Sequence, residues 1–231
     1  MGSTIQSQID EALARKQAER ANRVRSGKWS PSSFGYCFRR QFWNRKNEPV
    51  TNPPDARSLR VFACGDFFHD FVKSLVRKEL HREEVKCESA DTFGYADIEL
   101  LNEVVDIKSQ HSRAFWHMTK EAKAGKSILE IKPENVLQVA WYAIQLGKEF
   151  IRLIYVSKDD LCCEEFRLRI TPEIMAKINA ELAVLNDFWK NGKLPSAQPR
   201  AYGGDKECGY CQFKDKCFEM EKKNERPTNK C

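Results

Sequence analysis

The pattern of hydrophobic and polar residues predicts helices and two β-hairpins in the middle of the chain. Apolar residues recur every three or four positions in three stretches, which predicts helices at about 58–80, 133–146 and 171–190. Between the first two stretches, residues 93–109 form two apolar-rich runs joined by Asn102-Glu103, the pattern of a β-hairpin. Residues 149–170 contain a second pair of this kind. The pattern therefore predicts a core in which helices alternate with paired strands.

The two ends of the chain are more polar than this core. Residues 4–27 predict a charged helix with few apolar positions, and Ser30-Pro31 predicts the turn before a short helix. The sequence as a whole predicts five segments: a charged helical leader 1–29, a helical segment 30–57, a core 58–192, a cysteine-containing loop 193–218 and a loose tail 219–231.

Length and composition indicate a globular protein with one domain and an appendage. The chain has 231 residues, of which 41% are hydrophobic, and its formal net charge is +6. This mild basic bias is compatible with a polyanionic partner but does not argue for one by itself. The longest uncharged stretch is too short to span a bilayer, and no charged-then-apolar leader opens the chain. We therefore expect a cytoplasmic protein in a reducing compartment.

Candidate chemistry is concentrated in the first hairpin. If its turn has two residues, Asp97 faces Lys108 and Glu99 faces Asp106, and all four side chains share one face of the sheet. Carboxylates gathered in this way repel one another unless a divalent cation joins them, as Mg²⁺ does in many phosphate-transfer sites. The alternative interpretation is a solvated, charged hairpin face.

Two helical motifs flank this hairpin in the sequence. Gly65 and His69 lie one turn apart in the first predicted helix, and Gln138 and Tyr142 lie one turn apart in the second. A lone histidine on such a helix is more often a core residue than a metal ligand. The glycine favours the ligand interpretation, because it lets another backbone or a metal-bound group approach closely.

Cysteines near the end of the chain indicate a second metal site. Cys208, Cys211 and Cys217 follow a Cys-x2-Cys-x5-Cys pattern, and three thiolates in ten residues are a strong signal for metal. Most closed sites need a fourth ligand. Spacing alone does not choose among the remaining cysteines, Cys37, Cys64, Cys87, Cys162, Cys163 and Cys231.

The order Gly-x3-His, Asp, Asp-x-Lys, Gln-x3-Tyr resembles the RecB-type branch of the PD-(D/E)xK nucleases. Together with the cysteines, it is most similar to the CRISPR-associated iron–sulfur exonucleases (the fourth Cas protein) and their viral relatives, over about residues 30–218. The resemblance implies an α/β fold with a restriction-endonuclease-like mixed sheet flanked by helices. Asp106 departs from the pattern, since many members have Glu there, but the superfamily allows either residue.

The resemblance also implies roles for the motif residues. His69, Asp97, Asp106 and the backbone carbonyl of Ile107 would hold Mn²⁺ or Mg²⁺, and Lys108 would orient the attacking water or stabilise developing charge. Gln138 and Tyr142 would position the DNA strand or the lysine. Cys37 stands where the first cluster ligand is expected, so that a [4Fe–4S] cluster would join the two ends of the chain. Four thiolates would also suit Zn²⁺.

The expected function is metal-dependent exonuclease activity on single-stranded DNA or DNA ends. Candidate DNA contacts are two arginines near the first cysteine and two residues of a basic and aromatic stretch at 112–132: Arg39, Arg40, Arg113 and Trp116. CRISPR adaptation or recombination proteins are expected partners. One alternative is a catalytically silent iron–sulfur protein that holds DNA in such a complex, and another is an interaction protein whose acidic hairpin is incidental.

Overall fold

The computed structural model describes residues 4–21, 26–75, 82–202 and 206–225. Within these ranges one mixed sheet has the order β1-β2-β3-β4-β5, and all neighbours are antiparallel except the central pair β3 and β4, which is parallel. The mixed sheet was expected. The strands are β1 (Arg82–Glu88), β2 (Phe93–Glu99), β3 (Glu103–Gln110), β4 (Phe150–Ser157) and β5 (Cys163–Arg169).

Helices cover both faces of the sheet and extend beyond it at both ends of the chain. They are α1 (Ile5–Ala21), α2 (Phe38–Arg45), α3 (Ala56–Leu75), α4 (Ser112–Lys123), α5 (Ile128–Ile131), α6 (Pro133–Gln145), α7 (Pro172–Lys190), α8 (Lys206–Gly209) and α9 (Lys214–Glu225). As predicted, Thr171 caps α7, because its side chain accepts a hydrogen bond from the backbone N–H of Ile174. No helix in the described ranges is long and apolar enough to cross a membrane.

The central strand β3 contributes to two separate hydrophobic clusters because its side chains alternate between faces. Val104 belongs to the larger cluster, which is built around α6. Val105 and Ile107 point to the other face, where Val72 of α3 packs against them. The strand therefore lies between α6 and α3, and its polar residues are held rigidly between two packed layers.

The register of the first hairpin differs from the predicted one by two residues. Ile98 pairs with Val105 and Glu99 with Val104, and Leu100 donates to the carbonyl of Glu103, so the turn lies at Leu101-Asn102. Glu99 therefore does not face Asp106.

The two ends of the core are joined by a third hydrophobic cluster. Trp29, Phe42 and Trp43 from the N-terminal side pack with Leu185 of α7 and with Phe213. The rings of Trp43 and Phe213 pack edge to face, with their centroids 5.3 Å apart. Apolar packing therefore brings residues 29–43 against residues 211–220.

The prediction of a loose tail from residue 219 is wrong as far as residue 225. Helix α9 continues to Glu225, and Arg39 forms an ion pair of 2.6 Å with Glu221 on it. The cysteine segment is likewise partly helical rather than a loop. The remainder of the predicted tail, and residues 76–80 of the predicted first helix, lie outside the described residues.

Residues 5–21 of the predicted leader form a helix, whereas residues 26–29 are not helical, and ion pairs connect the helix to α3. Arg20 forms an ion pair of 2.9 Å with Asp66, and Arg60 forms one of 2.6 Å with Asp10. None of the residues of α1 is buried. Such exposed pairs each contribute little free energy, so α1 is held weakly compared with the core helices.

Candidate active site

The sequence-predicted residues of the first hairpin and of helix α3 meet where β2 and β3 separate. Beyond Ile98 the two strands no longer pair, and the carboxylate of Asp97 occupies the opening. Asp97 Oδ2 accepts a hydrogen bond from the backbone N–H of Ile107 at 3.2 Å and lies 2.9 Å from His69 Nε2. The side chain thus replaces part of the lost strand pairing and connects β3 to α3.

The second carboxylate lies deeper, on the face of β3 that α6 covers. Asp106 is 1% exposed, and its Oδ1 accepts hydrogen bonds from Lys108 Nζ at 3.0 Å and Gln138 Nε2 at 3.4 Å. Its Oδ2 is 2.8 Å from Lys108 Nζ but accepts no hydrogen bond. A buried carboxylate oxygen left in this state still has acceptor capacity for a further ligand.

The two carboxyl groups have opposite pKa shifts because their surroundings differ. Burial raises the pKa of Asp106 to about 6 despite the opposing charge of Lys108, and the charge of Asp97 adds to the rise. Burial also acts against ionisation of Asp97, but the hydrogen bond from His69 and the charge of Lys108 outweigh it and lower its pKa. Two nearby carboxyl groups with separated pKa values are a common feature of functional sites.

The two basic groups beside these carboxylates, His69 and Lys108, both have raised pKa values. The hydrogen bond to Asp97 raises the pKa of His69. Burial alone would lower the pKa of Lys108, but the charges of Asp106 and Asp97 outweigh it, and the pKa is raised. In this arrangement Lys108 carries its positive charge directly beside Asp106.

Tyr142 lies one turn beyond Gln138 on α6, and its buried ring packs directly against Gly94 of β2. A Cβ added at Gly94 would be 2.7 Å from Tyr142 Oη and 2.8 Å from Cε1, so a larger residue has no room there. Burial, followed by the charges of Asp106 and Asp97, raises the pKa of Tyr142. The hydroxyl therefore remains neutral and lies within the electrostatic field of both carboxylates.

The expected close approach at Gly65 is not observed. A Cβ at this position would lie 4.0 Å from Lys158 Nζ and 4.0 Å from Ser109 Oγ, which is ordinary contact. No role was predicted from the sequence for Lys158 or Ser109, although both lie near Gly65. Glu134 on α6 was also missed, and its charge acts on Lys108. None of the three carries a recognisable motif signal.

The donor set at this site suits a hard divalent cation, although the residues are not arranged around one. Among the described residues, no group of three or more His, Cys, Asp or Glu side chains forms a ready metal site. His69 instead pairs with Asp97, and Lys108 with Asp106. Mn²⁺ and Mg²⁺ nonetheless bind carboxylates together with one imidazole, and Asp106 Oδ2, which contacts Lys108 but accepts no hydrogen bond, suits such a cation.

The four cysteines singled out from the sequence surround one small cavity, which lies apart from the carboxylates. Cys37, Cys208, Cys211 and Cys217 all line it. Burial raises the pKa of Cys208, and the charges of the other three sulfurs add to the rise. The thiols are thus neighbours in space, as a shared metal would require, although they are not arranged as a preformed ligand set in the described structure.

The candidate DNA contacts differ in their availability. Arg39 is not a DNA contact in this structure, because it is buried, donates to the carbonyl of Pro195 and to Glu221, and approaches Cys217 Sγ at 3.4 Å. Arg40 stacks on the ring of Tyr36 and borders the cysteine cavity. Trp116 on α4 is 57% exposed and stays a candidate, as does Arg113 on the same helix.

Comparison with solved structures identifies the fold. The chain is similar to the crystal structure of SSO0001, with a TM-score of 0.60 and 17% identity over 94% of this chain and 98% of that one. It is also similar to LHK-Exo in complex with dAMP, with a TM-score of 0.50 and 15% identity over 72% of this chain and 89% of that one.

A second LHK-Exo structure, described as an alkaline exonuclease from Laribacter hongkongensis, covers 75% of this chain and 97% of that one at 16% identity, with a TM-score of 0.45. No family model matches the sequence, and no curated protein matches it. The comparisons therefore show a shared fold rather than a sequence family. The chain has the mixed α/β fold that the SSO0001 and dAMP-bound LHK-Exo structures share with it.

Proposed function

We propose that this protein is a divalent-metal-dependent DNA nuclease, an exonuclease that acts on single-stranded DNA or DNA ends. One observation carries the proposal: Asp97, Asp106, Lys108 and His69 converge at the separation of β2 and β3. The fold that surrounds them is shared with LHK-Exo, whose structure contains dAMP. Asp106 differs from the carboxylates of a solvated hairpin face, because it is 1% exposed and lies beside Lys108.

In this proposal each residue of the site has a separate task. Asp97, Asp106, His69 and the carbonyl of Ile107 hold Mn²⁺ or Mg²⁺, which when bound polarises phosphate oxygens and acidifies water. Lys108 holds a positive charge where charge develops on the phosphate or orients the attacking water. Gln138 keeps Asp106 in place through its hydrogen bond, and Tyr142 lies within the electrostatic field of both carboxylates.

We also propose that Cys37, Cys208, Cys211 and Cys217 hold a structural metal centre, a [4Fe–4S] cluster with Zn²⁺ as the alternative. Their common cavity supports this assignment, and four thiolates suit either metal. The centre lies away from the carboxylates, so its task would be to stabilise the junction of the chain ends rather than to take part in hydrolysis.

Cleavage of end-labelled single-stranded DNA tests the nuclease proposal. With Mn²⁺ present, Lys108→Ala should lower the rate by roughly a hundredfold or more, because a charge aimed at the reacting phosphate typically contributes that much. Lys177→Ala is the matched control, since Lys177 lies on the exposed surface of α7 and pairs with Glu173. It should cleave like the wild type.

Two outcomes would contradict this proposal. Equal cleavage by both variants would show that the activity does not use this site. DNA binding without any cleavage by the wild-type protein, across Mn²⁺ and Mg²⁺, would instead support the alternative of a silent DNA-binding protein.

A further inference from the structure

A cavity other than the cysteine cavity lies between residues 26–33, helix α2 and the start of β2. It is polar, and its volume is about 430 Å³. This volume is within the range of small-molecule sites. Its described lining contains three basic side chains, Lys28, Arg40 and Arg45, and no acidic one. Phe93 forms an aromatic part of the wall, and the remaining lining is mostly serine hydroxyls and side-chain amides. Lys28 pairs with Glu88 at 2.9 Å, and Arg40 lies 4.0 Å from Glu207, so the positive charge of the cavity rests mainly on Arg45, beside an aromatic surface.

Several polar atoms around this cavity have no hydrogen-bond partner in the described structure. Gln41 is 2% exposed, and its Oε1 is buried without a donor. Nη1 of Arg45 and Nε of Arg40 are buried without an acceptor. Unsatisfied buried groups of this kind are costly, and they are rare unless a ligand, an ion or ordered water completes them. An anion in the cavity would provide acceptors for both guanidinium groups.

Arg45 is held in place at this wall by its surroundings rather than by a carboxylate. Its guanidinium stacks between the rings of Trp29 and Trp189, 4.3 Å from each ring centroid, and its Nε donates to the carbonyl of Gly27. Burial lowers its pKa, and the charge of Asp91 acts in the opposite direction. A fixed guanidinium with free donors is a suitable phosphate ligand.

A surface leads from this cavity to the carboxylates along β2. Val85, Cys87 and Ala96 belong to the cluster under α6, so alternation places Lys86 and Tyr95 on the opposite face of the sheet. Tyr95 is exposed, and its ring lies 5.3 Å from that of Phe93. Four residues of extended strand separate Phe93 from Asp97, a distance of about 13 Å.

We propose that this cavity binds one nucleotide of a single DNA strand, a few nucleotides from the scissile phosphate. The phosphate is held by Arg40 and Arg45, and the base lies against Phe93. Tyr95 and Lys86 line the path between the cavity and Asp97, with a ring for the base and a cation for the backbone, as single-strand binding surfaces require. The placement relative to the scissile bond rests on the proposed nuclease function, whereas the nucleotide site itself does not.

Equilibrium binding without divalent metal tests this site. Full-length protein is titrated with a deoxynucleoside 5′-monophosphate, the same nucleoside without phosphate, and inorganic phosphate. The nucleotide should bind at least tenfold more tightly than either part. Arg45→Gln should weaken nucleotide binding about tenfold or more, because a charge-assisted pair is lost. Arg169→Gln is the matched control on β5, where an exposed arginine pairs with Glu149, and it should bind like the wild type.

Arg45→Lys keeps the experiment decisive if the Gln variant does not fold. Lysine retains the charge but loses the planar fork, so nucleotide affinity should fall in the folded variant, and thermal unfolding shows how much of it is folded. Full nucleotide affinity in both folded Arg45 variants would overturn the assignment. Inorganic phosphate binding as tightly as the nucleotide would overturn it as well, because the aromatic wall would then contribute nothing.

The result is independent of the nuclease test, since no metal is present and no bond is broken. Nucleotide binding that depends on Arg45 would support this site even if the protein cleaves nothing. Cleavage that depends on Lys108, with no nucleotide binding at millimolar concentration, would overturn this site and leave the nuclease proposal intact.

Discussion

At the scale of single residues, surroundings rather than residue type distinguish the two aspartates. Asp97 gains a histidine and a backbone N–H, whereas Asp106 is buried against one lysine and one amide. The sequence predicts that both lie on one face of a hairpin. It does not predict their different acidities, because these depend on the contacts made by α3 and α6, which are distant in sequence.

Gly94 should be the least replaceable of the glycines near the site. Gly94→Ala should destabilise the fold by about 1–3 kcal/mol, because the new methyl group would overlap the buried ring of Tyr142. Gly65→Ala is the matched control and should be neutral or stabilise by about 0.5–1 kcal/mol, since Gly65 lies within α3 and a methyl group there meets nothing closer than 4.0 Å. Denaturant unfolding measures both, and an equal loss of stability in the two variants would contradict the packing described here.

At the scale of helices and strands, the pattern of apolar residues predicted most elements of the core with boundaries close to those observed. The register of the first hairpin was not predictable in the same way. Asn102-Glu103 and Leu101-Asn102 are both acceptable two-residue turns between alternating strands, and the observed one is fixed by the Leu100–Glu103 hydrogen bond and by packing on both faces. The buried acids that hold α2 and the C-terminal helices together also lacked a sequence signal.

Glu207 should be essential for that junction. It is 1% exposed and accepts hydrogen bonds from the backbone N–H groups of Cys37, Arg200 and Ala201, all within 2.9 Å. Glu207→Ala should destabilise the protein by roughly 2–4 kcal/mol, because it leaves three donors without their acceptor. Glu173→Ala, on the exposed surface of α7, should change stability by less than about 0.5 kcal/mol. Similar melting temperatures for the two variants would contradict this role.

At the scale of the whole molecule, the sequence correctly predicts a mixed sheet flanked by helices. The resemblance implied that a metal cluster joins the two ends of the chain, and the structure adds apolar packing, an ion pair and a buried hydrogen bond at the same junction. These contacts could not be read from the sequence, because Trp29, Trp43 and Phe213 carry no periodic pattern that relates them.

Cys37→Ser should lose bound metal and lower the melting temperature, because the proposed centre binds only the folded junction. Cys162→Ser is the matched control, since Cys162 is exposed and outside the cavity. Cys87 is unsuitable as a control because it is buried in the core under α6, where a hydroxyl group would itself be destabilising. Elemental analysis, visible absorbance and thermal unfolding measure the outcome. Full metal content in Cys37→Ser would remove Cys37 from the ligand set.

The cluster that joins residues 29–43 to Leu185 and Phe213 has a consequence for protein synthesis. Ribosomes add about 5–20 residues per second, so roughly ten to thirty seconds pass between the appearance of Trp43 and that of Phe213. During this interval the indole ring of Trp43 lacks the ring of Phe213, its partner on the C-terminal side. The nascent chain therefore presents an aromatic surface to chaperones until its last helices emerge, and only then can the junction close.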